Sequence, residues 1–357
     1  MPDVRRILIV KLSAMGDVVH ALPAVTYLRK AAPSAEVHWA VDTRFAELVE
    51  GNPGIAKVVP LPIKEWKGRA GSPSTWREAL GAAKTLREGR YDIAIDLQGN
   101  IKSGVVTYLS GAPLRYGFSR EVARERQNLW FTNRRPPALE EDRHVTQKIL
   151  RVASAPFDVP YTTEALRGEV VNTTAETAAA SLLLEEALPG ATPRLSLHPG
   201  TTWNTKRMDA AFWADTVRFV RDAFPALGVF LSWGTEKERE ECLAIRHIAG
   251  GRVALLPRLG YKALAATYRA CGHMIGPDTG PLHLAAVVGA KTVSVFRGSD
   301  GRYAAPVGPG HRFFQAPLPC TACQIKGDKV CPRDAECRAS IKASEVAGAM
   351  VTLMGRG

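Results

Sequence analysis

Four short loops concentrate the side chains able to do chemistry. The first, Lys11-Leu12-Ser13-Ala14-Met15-Gly16-Asp17, leaves an apolar run and enters an apolar helical stretch. Asp17 there is either a helix cap, whose carboxylate the dipole favours, or a general base. The second, from His198 to Arg207 (H-P-G-T-T-W-N-T-K-R), gathers the hydroxyls of Thr201 and Thr202 with Lys206 and Arg207. Hydroxyls, a glycine and cations in one loop suit phosphate oxygens, although a solvated surface loop has the same composition. The third, Gly276-Pro277-Asp278-Thr279-Gly280-Pro281-Leu282-His283, ends in a proline suited to a first helical turn. Free N–H groups at such a start form an anion site beside Thr279 and Gly280. His283 faces either that site or the core. The fourth, Trp233-Gly234-Thr235-Glu236-Lys237-Glu238, carries acidic residues that serve the helix dipole or hold ribose hydroxyls.

The segments that must position these loops alternate between short β-branched runs and longer amphipathic stretches, the pattern of an α/β protein. Strands are expected at 6–10, 37–41, 57–61, 92–96 and 114–117, with helices at 24–32, 45–50, 74–88 and 101–109. The pattern restarts after the Pro189-Gly190 turn. Strands are expected there at 194–197, 228–233, 253–256, 273–275 and 291–296, and helices at 210–224, 237–249, 262–270 and 281–288. An Ala-rich helix at 176–187 precedes the turn, and a last helix spans 343–354. Residues 306–337 read as irregular. Two α/β layouts in tandem predict two Rossmann-like doubly wound domains facing across a cleft, with ligands outside the carboxyl ends of the strands. The expected division is 1–175, 190–340 and a C-terminal helix at 341–357.

The chain has 357 residues, 46% hydrophobic and 23% charged, with a formal charge of +12. That composition excludes a disordered chain, and the charge points to an anionic partner. No apolar run is long enough for a membrane-spanning helix. The opening M-P-D-V-R-R-I-L-I-V is read as a buried strand rather than a signal peptide, because Lys11 interrupts it and no small-residue cleavage site follows. A cytoplasmic protein is expected.

Taken in order, several fragments resemble the ADP-heptose–lipopolysaccharide heptosyltransferases, glycosyltransferase family 9. They are K-L-S-A-M-G-D-V-V-H-A-L-P-A at 11–24, I-D-L-Q-G-N-I-K-S at 95–103, A-R-E at 123–125, R-H-V at 143–145, H-P-G-T-T-x-x-T-K at 198–206, W-G at 233–234 and D-T-G-P-L-H at 278–283. The resemblance covers nearly the whole chain and is strongest to the heptosyltransferase I branch. It implies the GT-B fold and inverting transfer of heptose from ADP-L-glycero-D-manno-heptose to Kdo-lipid A, at the cytoplasmic face of the inner membrane.

By the same resemblance, Asp17 is the base and Lys206 neutralises the diphosphate. Thr201 and Thr202 contact that diphosphate, Glu238 the ribose, and Asp278, Thr279, Gly280 and His283 the donor. Lys102, Arg124 and His144 are implied for the acceptor. Two basic stretches fit an anionic lipid acceptor on physical grounds, or are a solvated basic surface: Lys64-Glu65-Trp66-Lys67-Gly68-Arg69, which offers Lys64 and Lys67, and Arg115 to Arg135, which offers Arg120. No cofactor is expected for catalysis. Late proton transfer to Asp17 suits a carboxylate of low pKa, with Lys206 and the helix start stabilising the leaving diphosphate.

Six cysteines are present. Cys242 and Cys271 read as buried small hydrophobes. Cys320, Cys323, Cys331 and Cys337, spaced x2, x7 and x5, read either as a structural zinc or iron site or as free thiols. Such a cluster also occurs in heptosyltransferases that modify autotransporter proteins, so a protein acceptor or another core sugar is the alternative substrate. A nucleotide-dependent oxidoreductase or epimerase is disfavoured by the missing G-x-G-x-x-G after the first strand. A nucleic-acid binder is disfavoured by the absence of any recognition fingerprint.

Overall fold

The computed structural model describes residues 4–162 and 167–355. The chain divides into two compact units, Met1–Val171 and Asn172–Gly357. The first opens with β1 (Arg6–Val10), in which Ile7, Leu8, Ile9 and Val10 are all fully buried. A continuous apolar strand of this kind belongs at the centre of a parallel sheet covered on both faces. There follow α1 (Met15–Ala31), β2 (Glu36–Asp42), β3 (Lys57–Leu61), α2 (Ile63–Gly68), α3 (Pro73–Glu88), β4 (Ile93–Asp96), α4 (Ile101–Leu109), β5 (Leu114–Tyr116) and α5 (Val145–Ser154). The strands form one parallel sheet in the order β3-β2-β1-β4-β5. The order reverses between β1 and β4, so the loops leaving those two strands flank the unit's ligand crevice.

The second unit begins with α6 (Thr174–Ala187), whose N-terminus carries a capping box of Thr173 and Glu176. It continues with β6 (Arg194–Leu197), α7 (Ala210–Ala223), β7 (Gly228–Leu231), α8 (Glu236–Ala249), β8 (Val253–Leu255), α9 (Tyr261–Cys271), β9 (His273–Pro277) and α10 (Gly280–Val287). It ends with β10 (Lys291–Phe296), α11 (Gly301–Ala304), β11 (His311–Gln315), α12 (Asp334–Ala339) and α13 (Ala343–Gly355). The parallel sheet runs β11-β10-β9-β6-β7-β8, with its switch point between β6 and β9. Its core is built around the fully buried Trp213, with Leu195, Val217, Leu231 and Met350. Helix α13 packs on α7, and α6 packs on α9, which places α6 within this unit.

Several elements depart from the expectations drawn from sequence, among them the short helices α2, α11 and α12, which have no expected counterpart. Helix α1 starts at Met15, well before the expected 24, and carries Pro23 buried in its interior. Residues 43–48 form a 3-10 turn rather than an α-helix. Helix α5, an amphipathic stretch, was not expected. Strand β11 lies inside the segment read as irregular; it pairs with β10 at the sheet edge, where a short strand leaves little periodicity to read.

Candidate functional site

In the first unit, the loops after β1 and β4 are tied together at the switch point. Gln98 Oε1 accepts from the backbone N–H groups of Leu12 and Ser13, both at 3.1 Å. The β4 loop is itself set by Asp96, a buried carboxylate that accepts from Gln98 N (2.9 Å), Gly99 N (3.0 Å), Ser103 Oγ (2.8 Å) and Asn128 Nδ2 (2.6 Å). Gly99 turns there with φ +75°, and a Cβ would meet Phe118 at 2.8 Å, so both conformation and space require glycine.

Asp17 occupies the first turn of α1. Its Oδ2 accepts from Ala14 N at 3.3 Å and its Oδ1 from Arg124 Nη2 at 2.6 Å. Lys11 stands at the end of β1, 2% exposed, with Nζ donating to Leu97 O at 2.7 Å. Burial lowers its ammonium to about 8, against the pull of the Asp17 charge. Burial likewise opposes ionisation of Asp17, but Lys11 and Arg124 outweigh it and hold the carboxyl below its ordinary value. An ionised carboxylate at a helix start, flanked by two cations, is a proton acceptor of low basicity.

The residues implied for the acceptor are dispersed over this unit. Lys64 and Lys67 are exposed on α2, Lys102 on α4, and Arg120 in the loop after β5. Arg124 lies on the carboxylate of Asp17. His144 caps α5, its Nδ1 accepting from Thr146 N at 3.2 Å, and its ring meets that of His20 edge-on at 5.6 Å.

In the second unit, the loops after β6 and β9 meet at the other switch point. Lys206, in a 3-10 turn at Asn204–Lys206, pairs with Asp278 at 2.5 Å. Asp278 also accepts from Ser299 Oγ at 2.6 Å and contacts His283 Nε2 at 3.1 Å. Burial opposes its charge, and His283 and Lys206 overcome that to hold the carboxyl far below the usual range. Thr201 Oγ1 donates to Asp278 O at 3.3 Å, whereas Thr202 points into solvent-accessible space. Thr279 is the N-cap of α10 and makes no side-chain cap bond, with Gly280 and Pro281 opening the helix. Pro281 has no N–H, so the first turn offers those of Gly280 and Leu282, close in sequence to Asp278, which holds Lys206.

Glu238 completes a capping box on α8: its Oε2 accepts from Gly234 N at 2.8 Å and Thr235 N at 3.0 Å. Its carboxylate also lies over Gly200, where an added Cβ would come within 2.4 Å of Oε1. Glu238 therefore reaches the loop after β6, and only glycine at 200 permits it. His198 is neutral and structural, its ring lowered to about 4 by burial, with Nδ1 at 3.1 Å from Ser232 Oγ.

Several side chains of these two clusters carried no sequence signal as site residues. Gln98, Asn128 and Ser299 act on neighbours distant in sequence, and polar residues of these types are common in loops. Lys11 did carry one: a lysine closing a buried apolar strand must find a partner.

Cys242 and Cys271 are buried, and burial pushes both thiols up to about 12. Cys320 is exposed; Cys323, Cys331 and Cys337 are partly so. Burial raises the Cys337 thiol, against the opposing pull of Arg297. Arg333 Nη1 approaches Cys320 Sγ at 3.8 Å. The donor chemistry is that of a soft metal site, yet among the described residues no three His, Cys, Asp or Glu side chains are gathered into a set able to hold an ion.

The family model for glycosyltransferase family 9 (heptosyltransferase) matches residues 80–332. Lipopolysaccharide heptosyltransferase 1 of Pseudomonas aeruginosa is 30% identical over 322 residues, covering 90% of this chain and 86% of that protein. The E. coli heptosyltransferase WaaC, solved with ADP, superimposes with a TM-score of 0.72 at 25% identity, covering 87% of this chain and 93% of that one. Its complex with ADP-2-deoxy-2-fluoro heptose gives 0.70 at 26%, with the same coverage. E. coli ADP-heptose lps heptosyltransferase II shares the fold, with a TM-score of 0.76 at 18% identity over 98% of this chain and 99% of that one.

Proposed function

Since the chain belongs to glycosyltransferase family 9 and has its GT-B fold, we propose that it transfers heptose from ADP-L-glycero-D-manno-heptose to Kdo-lipid A in lipopolysaccharide inner-core assembly. The observation that carries this reading is the Lys206–Asp278–His283 cluster at the start of α10. It offers a held cation and free helix N–H groups to a diphosphate, in a chain similar to an enzyme solved with ADP.

The chemistry follows from the two clusters. Inverting displacement needs a base on the face of the sugar opposite the leaving group. Asp17 takes the acceptor hydroxyl's proton late, once the anomeric centre has become oxocarbenium-like and the hydroxyl acidic. A carboxylate of lowered pKa is sufficient for that. Charge growing on the departing ADP is met by Lys206 and the N–H groups of α10, so this reading requires no cofactor for catalysis.

We place the reaction at an anionic membrane surface. Along α4, Ile101, Val105 and Tyr108 stand at i, i+4 and i+7 and expose apolar atoms, while Trp130, in the 3-10 turn packed on α4, is 78% exposed. On the neighbouring α3, Trp76 and Leu80 are 65% and 70% exposed. The surrounding segment 64–135 carries fourteen Lys and Arg against seven Asp and Glu, more than half of the chain's whole positive excess. Apolar and aromatic side chains among cations suit the headgroup region of an anionic bilayer. Among the described residues no helix is long and apolar enough to cross a membrane.

The four cysteines are assigned one structural zinc or iron ion, on the strength of their soft donor set and their x2, x7 and x5 spacing.

The test is a transfer assay with ADP-heptose and Kdo-lipid A. Heptosylated Kdo-lipid A is the expected product. Transfer only to an already heptosylated core or to a protein would overturn the acceptor assignment, and hydrolysis or epimerisation without transfer would overturn the reaction.

A further inference from the structure

The indole of Trp203 carries two ammonium groups. Lys206 Nζ lies 4.1 Å from the ring centroid and Lys326 Nζ 5.7 Å from it. Their charges are not equivalent. Lys206 is paired with Asp278, so that those two charges cancel. Arg207 lies 3.4 Å from Glu241, whose carboxyl burial pushes up to about 7, and Arg297 is matched by Asp334 at 2.6 Å. Lys326 makes no ion pair among the described residues. It is therefore the uncompensated cation beside this loop.

Lys326 is also held there by its backbone neighbours. Thr205 Oγ1 donates to Ile325 O at 2.7 Å, and Asn204 N donates to Gly327 O at 3.0 Å. Gln324 N donates to Gly298 O at 2.8 Å. The residues on both sides of Lys326 are thus laid against the 3-10 turn that carries Lys206. A flexible lysine on an exposed loop loses much entropy when ordered; here the backbone is already fixed and the aromatic face restricts the side chain.

We infer that Lys326 is a second cation of the donor site, binding the diphosphate of the nucleotide sugar together with Lys206, with Trp203 as the platform for both. This rests on the donor reading given above. In the sequence, Lys326 lies three residues from Cys323. The geometry turns it toward the phosphate loop and makes the cysteine-rich segment a wall of that site. A diphosphate would bring two charges to a loop where Lys206 is already paired with Asp278, and Lys326 adds a positive charge that no carboxylate holds.

The experiment titrates the full-length protein with ADP, AMP and adenosine by calorimetry, for wild type, Lys326→Ala, Lys326→Arg and, as a control from the same segment, Lys329→Ala. Loss of one charge-assisted contact predicts ADP affinity lower by roughly tenfold or more in Lys326→Ala. Adenosine affinity should be unchanged, ADP binding largely restored by Lys326→Arg, and Lys329→Ala indistinguishable from wild type. Unchanged ADP affinity in Lys326→Ala would overturn the inference. So would an equal loss for ADP and adenosine, since that is the mark of a disturbed loop rather than a phosphate contact. Failure of the wild-type protein to bind ADP would instead overturn the donor reading on which this one stands.

Discussion

Arg124 closes on Asp17: its Nη2 donates to Oδ1 at 2.6 Å, while the buried Lys11 adds a second positive charge behind the carboxylate. The two cations differ in freedom. Lys11 is fixed by Leu97 O in the floor of the loop, whereas the Arg124 side chain is 46% exposed and able to turn away. An anionic acceptor, which competes for that guanidinium, would leave Asp17 ionised by Lys11 and open to a hydroxyl proton.

Asp17→Asn should therefore abolish transfer, with a loss of about 10²–10⁴ in kcat, and leave ADP affinity within a few-fold, since Asp17 lies in the first unit and the diphosphate cluster in the second. Steady-state kinetics and ADP titration of the same preparation check this. Near-normal turnover in the Asn variant removes Asp17 from the role.

The same pair predicts a pH effect with a definite sign. Both cations lower the Asp17 pKa, and a base works only above its pKa, so wild-type turnover should persist into acid beyond the usual carboxylate range. Arg124→Ala removes one cation and raises that pKa. The acid limb of kcat should then move to higher pH, even where acceptor KM also rises. An acid limb that stays in place in Arg124→Ala would show that the pairing does not tune the base.

Lys206→Ala should weaken ADP-heptose binding and slow transfer together, because charge on the diphosphate grows toward the transition state. It also leaves Asp278, almost fully buried, without its cation, which costs on the order of 3 kcal/mol. A lowered melting temperature should accompany the kinetic defect, and Lys206→Arg should recover much of both. A rise in KM with kcat intact would reduce Lys206 to ground-state binding.

How much of this was readable from the residues differs between the sheet and the site. The central strands were plain, because Ile7–Val10 is an unbroken apolar run and Lys291–Phe296 a stretch of strand length rich in β-branched residues. The loops that follow them were also plain, since a switch point in a doubly wound sheet can lie only at strand ends. The connections were not. Nothing local in Gln98 says that it will hold Leu12 and Ser13, eighty-odd positions earlier, and nothing in Asp96 says that it faces inward to order its own turn. Helix α1 runs through Pro23, a residue that locally favours a helix start over an interior; buried packing of the flanking turns keeps it inside. Lys326 lies among cysteines in the sequence, and only the tertiary course of the chain puts it on Trp203.

Membrane docking is tested with vesicles. Protein should sediment with vesicles containing phosphatidylglycerol and far less with neutral phosphatidylcholine, and the difference should shrink as salt is raised. Trp76→Ser combined with Trp130→Ser should reduce binding roughly tenfold or more, since both indoles are exposed and make little contribution to the core. Transfer to a short-chain, water-soluble acceptor should be unaffected. Equal binding by the double variant would show that the basic residues alone attract the surface, and no binding by wild type would remove the membrane from the reading.

The last prediction concerns Cys320, Cys323, Cys331 and Cys337. Thiolates repel one another, so a cluster of four is stable only as neutral thiols or around a cation. In the arrangement seen, Cys337 is raised by burial against the pull of Arg297, and Arg333 stands at Cys320. Arg333 also contacts Glu336 at 2.6 Å, so that it has a carboxylate partner if an ion takes Cys320. Gly327, in the x7 gap, has a positive φ and turns the chain there. Elemental analysis of protein purified without added metal should find close to one zinc or iron per chain. Replacing Cys323 and Cys331 by serine should lower both that ratio and the melting temperature. Because the segment borders the Lys206 turn through Ile325 and Gly327, ADP affinity should fall in the double variant, while chelator added briefly to the wild type leaves turnover unchanged. Metal-free wild-type protein of unaltered stability, with four thiols open to a disulfide reagent before unfolding and six after it, would show that the cluster is held as neutral thiols.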